Sequence, residues 1–381
     1  VAIAQARVPT ERLAEFVHFS GLVQLISVDG QRTVGCPYWD LVGDVDAAQL
    51  RDLYRDMAIV RRLDAEAMAL QRQGELALWA PLLGQEAAQV GSARALKPDD
   101  FVFPSYREHG VAYCRGVDPV DMLRMWRGTA LSGWDPVDYG IATPAIIVGS
   151  QALHATGYAL GIVLDGRTSA ALAYFGDGAS SEGDVAEALG FAASFGVPVV
   201  FFCQNNQWAI SEPVRLQSHA SIAQRGQGYG IPGIRVDGND VLAVLAATRL
   251  ALARAYAGQG PTLVEAVTYR MGPHTTSDDP TKYRSRGEEE QWRAKDPLAR
   301  LRALLHSEGV ADDRFEDGVE AAAAEAAAAL REGVLALRDP EPAAMFEHVY
   351  AGPHALLDEE RAAYERYLAG FDEMAEPADP S

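Results

Sequence analysis

The sequence predicts an α/β fold in which a mostly parallel sheet is flanked by helices, and two patterns predict it. Short runs rich in β-branched and aromatic residues alternate with runs of helical spacing. The short runs are also apolar at successive positions, as expected of strands buried on both faces and joined by crossover helices.

In chain order, residues 1–45 mix Gly, Pro and short apolar runs, and LVQLISVDGQ within them reads as a hairpin or extended arm. From Asp46 to Gly74, the positions Leu50, Leu53, Tyr54, Met57, Val60 and Leu63 recur at helical spacing, and a second helix is expected from Leu83 to Leu96. AALAYF is the next strand, followed by a helix from about Ser181 to Phe195 and the strand VPVVFFC. IRVDG, a helix from about Asp240 to Tyr256, and TLVEAVTY continue the alternation. Beyond Pro297 the chain turns helical, because VEAAAAEAAAALREGVLALR combines biased composition with strong helix propensity. The terminal EPADPS is expected to fray. These runs divide the chain into an N-terminal arm (1–45), an α/β domain (46–300) and a C-terminal helical extension (301–381).

Composition excludes several classes. A chain of 381 residues that is 48% hydrophobic can bury a large core, and a formal charge of −20 repels phosphate backbones, so nucleic acid is not an expected partner. Cys36, Cys114 and Cys203 are widely spaced, form no Cys-x-x-Cys or Cys/His cluster, and fit a reducing, cytoplasmic setting. No apolar stretch approaches the length of a membrane-spanning helix, and no targeting segment is recognisable at the start.

The chemistry concentrates in YFGDGASSEGD, Tyr174 to Asp184. By itself Gly-Asp-Gly makes a tight turn or holds a metal ion. AALAYF ends at Gly176 and VPVVFFC ends at Gln204, so Asp177 and Asn206 both follow the carboxyl ends of strands in one β-α-β unit, the edge where open α/β sheets bind ligands. One offers a carboxylate oxygen and the other an amide oxygen. A few hard oxygen ligands completed by phosphate and water suit Mg²⁺. Gly176 and Gly178 allow close approach, and the N–H groups of Ala179, Ser180 and Ser181 open the following helix toward a phosphate. The site is expected to hold Mg²⁺ and a diphosphate without the usual nucleotide loops, since neither G-x-x-x-x-G-K-[ST] nor G-x-G-x-x-G is present.

GDGASSEGDVAEALGFAASFGVPVVFFCQNN resembles the thiamin diphosphate signature, in which GDG is followed by one helix and strand and then NN. Together with LLGQEAAQVGSARAL, FPSYREHG and YRMGPHTTSDDPTKYR, the stretch from about Leu50 to Tyr350 is similar to the alpha subunit of the first, decarboxylating component of 2-oxo acid dehydrogenases. The resemblance implies a thiamin diphosphate-binding fold. It also implies that Asp177, Asn206 and the backbone carbonyl of Trp208 hold Mg²⁺, with Trp208 standing where the family usually has Tyr. Tyr106, Arg107 and the backbone of Gly178 and Ala179 match diphosphate contacts, and the backbone of Val148 matches the position that meets the aminopyrimidine ring. His274 matches a histidine that borders both diphosphate and thiazolium and takes part in passing the acyl group to lipoamide.

Four further residues depart from the pattern. Asp138 and Tyr139 stand before the IIVG segment where branched-chain relatives have a His, which touches on substrate handling at that wall. Gln204 replaces an Arg that contacts the cofactor in some relatives, and Thr275 replaces a serine phosphorylated in animal relatives. The resemblance further implies oxidative decarboxylation of a 2-oxo acid and acyl transfer to a lipoyl arm. The carboxylate that activates the aminopyrimidine belongs to a beta subunit, in an α₂β₂ heterotetramer docked on a lipoyl acyltransferase core. HTTSDDP leans toward branched-chain over pyruvate substrates. An acetoin-cleaving subunit of the same design and a silent assembly subunit are the alternatives.

Overall fold

The computed structural model describes residues 13–17 and 21–375. The arm before Leu13 and the terminal EPADPS therefore lie outside the described residues. The chain divides into two compact units, one reaching to Ala336 and the other starting at Leu337. The break falls later than the expected boundary after residue 300, because the helix Asp313–Ala336 belongs to the first unit and buries Val319, Ala323, Ala327, Leu330 and Val334 there.

The centre of the first unit is a five-stranded sheet. Its strands are β1 (Phe101–Phe103), β2 (Ala171–Gly176), β3 (Val199–Asn205), β6 (Gly233–Asp237) and β7 (Thr262–Val267). They run parallel in the order β1-β2-β3-β7-β6. A two-stranded antiparallel ribbon, β4 (Trp208–Ala209) with β5 (Glu212–Pro213), follows β3. The apolar runs are buried on both faces, as a helix-covered parallel sheet requires. Leu172, Tyr174, Val200, Phe202, Val264 and Ala266 share one core with the helices Ala47–Arg72, Glu86–Ala93 and Val241–Tyr256. Ala171, Ala173, Phe175, Phe201, Cys203 and Leu263 share the other with Ser150–Leu164 and Gly183–Phe195.

Local chemistry sets the helix ends. Asp46 accepts from Gln49 N at 2.8 Å while Gln49 Oε1 accepts from Asp46 N at 2.9 Å, a reciprocal cap that starts the long first helix where the spacing predicts it. The second helix is shorter than expected, Glu86–Ala93, because Leu83 and Gly84 belong to a loop that reaches the binding edge. In the arm, Ile26 bridges antiparallel to Arg32 around a turn, and Val23 adds to the edge strand β6 at Val236 in parallel. The predicted hairpin and extended arm are thus both present in part. The second unit contains the helix Ala355–Ala375. No described helix is long and apolar enough to cross a membrane.

Candidate functional site

The carboxyl ends of β2 and β3 lie in register, Gly176 opposite Gln204, so the next residues of each strand emerge at the same edge of the sheet. A cavity of about 350 Å³ opens there. Tyr106, Arg107, Val148, Asp177, Gly178, Ala179, Asn206, Trp208 and His274, the nine residues to which the resemblance gives cofactor or metal roles, line it.

Asp177 is buried, and that burial pushes its carboxyl up to about 6 against the lowering effect of its hydrogen bonds. Gln217 Nε2 donates to Asp177 Oδ2 at 3.3 Å. Asn206 donates through Nδ2 to Gln85 Oε1 at 3.2 Å, and its Oδ1 accepts from Trp208 N at 3.3 Å. The Trp208 carbonyl accepts from Arg270 Nη1 at 2.8 Å and keeps a second lone pair. Two carbonyl-type oxygens and one carboxylate is a donor set of the kind a hard cation takes. Among the described residues no group of three or more His, Cys, Asp or Glu forms a metal cluster.

Gly178 has a specific reason to be glycine. A Cβ there would lie 2.7 Å from the Cβ of Ala209, too close for the ribbon to stay where it carries Trp208 beside Asp177. The helix expected to begin at Ser181 instead begins at Gly183, after a 3₁₀ turn over Ala179–Ser181. That turn uses two of the N–H groups expected to face a phosphate: Ser180 N donates to Asp177 O and Ser181 N to Gly178 O. A tighter turn is favoured because the Ser180 hydroxyl also bonds the Asp177 carbonyl at 2.6 Å. The backbone of Gly178 and Ala179 remains on the cavity wall.

Opposite in charge to Asp177 are two buried guanidinium groups, Arg107 and Arg270. Arg107 donates to Pro81 O at 2.6 Å and to His274 O at 2.8 Å, and its Nη2 lies 3.3 Å from His274 Nδ1. Arg270 donates to the carbonyls of Trp208 and Ile210 and to the Tyr283 hydroxyl, and lies 3.4 Å from the same Nδ1. No carboxylate pairs with either arginine among the described residues, and Arg270 Nε has no partner. Burial, with Arg107 and Arg284 nearby, lowers Arg270 to about 10. Buried cations without a directly paired carboxylate are costly, and an anionic ligand lowers that cost.

His274 takes its character from these neighbours. Burial first, then Arg107 and Arg270, lower it to about 3, so the ring is neutral. Since guanidinium groups only donate, Nδ1 is the acceptor and the proton sits on Nε2. Its backbone N–H donates to Asp278 Oδ2 at 2.8 Å, and Asp278 also accepts from Tyr283. Tyr106 meets the imidazole edge-on, ring centroids 6.1 Å apart.

A further layer fixes these groups. Gly84 adopts φ +96 and a Cβ there would come within 2.3 Å of Tyr269 O, so only glycine lets this loop lie against the chain leaving β7. Asp64 Oδ1 accepts from Trp79 Nε1 at 2.8 Å and Leu82 N at 3.1 Å, anchoring the loop whose Pro81 carbonyl holds Arg107. Gln207 and Ile210 are held at positive φ, so the backbone around the Trp208 carbonyl is strained. Asp138 and Tyr139 are not at this cavity. Asp138 is exposed on the short helix Pro136–Tyr139, because Arg115 Nε binds Tyr139 O and Gly140 turns the chain toward β1. Sequence reasoning did not assign Gln85, Glu108, Gln151, Gln217 or Arg270, which also line the cavity. For Arg270 the available signal was its place four residues before His274 in YRMGPH.

A family model described as "Dehydrogenase E1 component" matches residues 54–334. The chain is 48% identical to the 3-methyl-2-oxobutanoate dehydrogenase subunit alpha of Mycobacterium tuberculosis over 351 residues, 92% of this chain and 95% of that protein. It is 41% identical to the pyruvate dehydrogenase E1 component subunit alpha of Staphylococcus epidermidis over 314 residues, 82% of this chain and 84% of that protein. A protein of the same name from Bacillus cereus is 43% identical over 273 residues, 71% of this chain and 74% of the relative.

Proposed function

Since the chain belongs to the dehydrogenase E1 component family, we propose that it is the alpha subunit of a 2-oxo acid dehydrogenase that acts on branched-chain 2-oxo acids, with thiamin diphosphate and Mg²⁺ at the cavity above β2 and β3. One observation carries the cofactor part of this reading: two buried guanidinium groups without carboxylate partners line the same cavity as Asp177 and Asn206. The donor set fits an anionic diphosphate bridged by a hard cation.

Thiamin diphosphate, when bound, supplies the nucleophilic carbon and the electron sink for decarboxylating a 2-oxo acid. This chain's residues bind and orient. Asp177, the Asn206 amide oxygen and the Trp208 carbonyl hold Mg²⁺. Arg107, with Tyr106 beside it, and Arg270 neutralise the diphosphate, and Gly178 and Ala179 let it approach the backbone. The backbone of Val148 sets the aminopyrimidine end. His274 presents an Nε2–H to groups at the thiazolium end, a donor held neutral by burial and by the two arginines. We assign the acyl transfer step to this side chain. The second half of the site comes from a beta subunit, in an α₂β₂ assembly that passes the acyl group to a lipoyl acyltransferase.

The substrate preference is supported by the Mycobacterium tuberculosis relative, at 48% identity, and by the SDD sequence after His274. The relatives named for pyruvate, at 41% and 43%, support pyruvate as the second reading. Rates of CO₂ release from pyruvate and from the 2-oxo acids of valine, leucine and isoleucine, measured on the assembled α and β chains, decide between them. Faster turnover of the branched substrates supports the first reading, and a preference for pyruvate overturns it.

A further inference from the structure

Trp208 is fastened at both ends, and the two ends reach different parts of the fold. Its backbone oxygen accepts from Arg270 Nη1 at 2.8 Å, and the residue lines the cavity. Its indole Nε1 donates to Glu288 Oε1 at 2.9 Å, on the helix Arg286–Arg293 that follows the His274 loop. An indole N–H only donates and a carboxylate only accepts, so the direction of this bond is fixed. The indole also packs on the Tyr283 ring, centroids 5.4 Å apart, in a small apolar cluster with Tyr269, Met271 and Trp292.

The backbone around Trp208 needs such an anchor. Gln207 has φ +76, and Ile210, a β-branched residue, has φ +54. Strain of this kind persists only where the surroundings over-determine the conformation. The ribbon supplies little, since it pairs only Trp208 with Pro213 and Ala209 with Glu212. Arg270 holds the carbonyl from one side. The indole–carboxylate bond, likewise charge-assisted, holds the side chain from the other.

We propose that Glu288 is a positioning residue for the cation: through the Trp208 indole it fixes the peptide whose carbonyl is assigned to Mg²⁺. The inference rests on the proposed function, since it takes that carbonyl as a ligand. Glu288 is not among the cavity's lining residues, so its effect passes through Trp208. With the indole released, Gln207 and Ile210 relax toward negative φ, and the carbonyl leaves its place beside Asp177 and Asn206. The cation is then held by fewer oxygens, while the arginines assigned to the diphosphate stay in place.

The charge of Glu288 also reaches the Tyr269 hydroxyl, and Trp208 also packs on Tyr283, so neither single variant isolates the bond. A double-mutant cycle does. The quantity measured is the Mg²⁺ concentration that half-saturates thiamin diphosphate binding to the assembled protein, for wild type, Glu288→Ala, Trp208→Phe and the double variant. Glu288→Ala should raise it about tenfold, the usual weight of a group that orients a metal ligand. Trp208→Phe keeps the backbone carbonyl and an aromatic ring but loses the N–H, and should raise it by a similar factor. The double variant should be no worse than the poorer single one. Glu288→Gln, whose Oε1 still accepts from the indole, should recover most of the wild-type value. Should Trp208→Phe fail to fold, Glu288→Ala against Glu288→Gln still decides. An unchanged value in Glu288→Ala, factors that multiply in the double variant, or no recovery in Glu288→Gln overturns this inference alone. Absence of Mg²⁺-dependent thiamin diphosphate binding by the wild type overturns the proposed function instead.

Discussion

Arg107 holds His274 at two points, donating to its backbone carbonyl at 2.8 Å and placing Nη2 3.3 Å from imidazole Nδ1. Arg270 approaches the same nitrogen at 3.4 Å. A buried ring beside two cations does not readily take a proton, and the expected outcome is a His274 that stays neutral, with its proton on Nε2, down to about pH 5. Resonances of labelled histidine measure this directly. A His274 midpoint near the ordinary value of about 6.5 contradicts it. In the folding equilibrium the depressed pKa acts in one direction: stability is full above about pH 6.5 and falls as pH drops toward about 3.

Arg107→Met removes one of the two charges proposed to bind the diphosphate and one of the two that face Nδ1. Thiamin diphosphate affinity is expected to fall about 10- to 100-fold, the weight of one charge-assisted hydrogen bond of about 1.5–3 kcal/mol. The His274 midpoint should rise in the same variant. Arg107→Lys should recover little of either, because a single ammonium cannot reach Pro81 O and His274 O together. Binding calorimetry and the histidine resonances check both halves.

His274→Ala separates binding from transfer. Cofactor affinity should change only a few-fold, while acyl transfer to a lipoyl acceptor falls by about 10²-fold or more, the usual weight of a positioned proton donor. A loss confined to cofactor binding contradicts the role assigned to this side chain.

Asp64 gives a stability test away from the ligand. Burial raises its carboxyl to about 7, so its contribution is full below about pH 4 and is lost as pH rises through about 7. Asp64→Asn keeps an oxygen for Trp79 Nε1 and Leu82 N, and its Tm at pH 8 should equal or exceed that of wild type. Asp64→Ala leaves both N–H groups buried without an acceptor, at a cost of about 2–4 kcal/mol. Thermal unfolding of the two variants across pH shows the difference.

The residues that were legible in the sequence are those whose roles depend on position along the chain. Asp177 and Asn206 follow strand ends, and the register of Gly176 with Gln204 follows from one helix and one strand between them. Arg270 was not legible, because its carbonyl partners, Trp208 and Ile210, are distant in sequence and meet it only through the pairing of β3 with β7. The loop holding Arg107 was hidden for the same reason, its anchor being Asp64 on the first long helix. The 3₁₀ turn at Ala179–Ser181 was missed because the Ser180 hydroxyl competes for the Asp177 carbonyl, a local bond that spacing does not reveal. The later break between units reflects an alanine-rich helix that buries a stripe of its residues.

Gly178→Val tests how the ribbon positions Trp208. With Ala209 Cβ only 2.7 Å from the new Cβ, the ribbon must shift, and Mg²⁺-dependent cofactor affinity should fall about tenfold or more with little change in Tm. Adding Ala209→Gly should restore most of it. Failure of that second change to restore binding contradicts a steric cause.

The central claim is that Asp177 and Asn206 hold a Mg²⁺-bound diphosphate at the end of β2 and β3. Its most direct test is titration of thiamin diphosphate into the assembled protein, with and without Mg²⁺, for wild type and Asp177→Ala. Saturable binding, one per alpha chain, that requires Mg²⁺ and disappears in Asp177→Ala is the predicted result. Binding that is indifferent to Mg²⁺, or unchanged in Asp177→Ala, would contradict it.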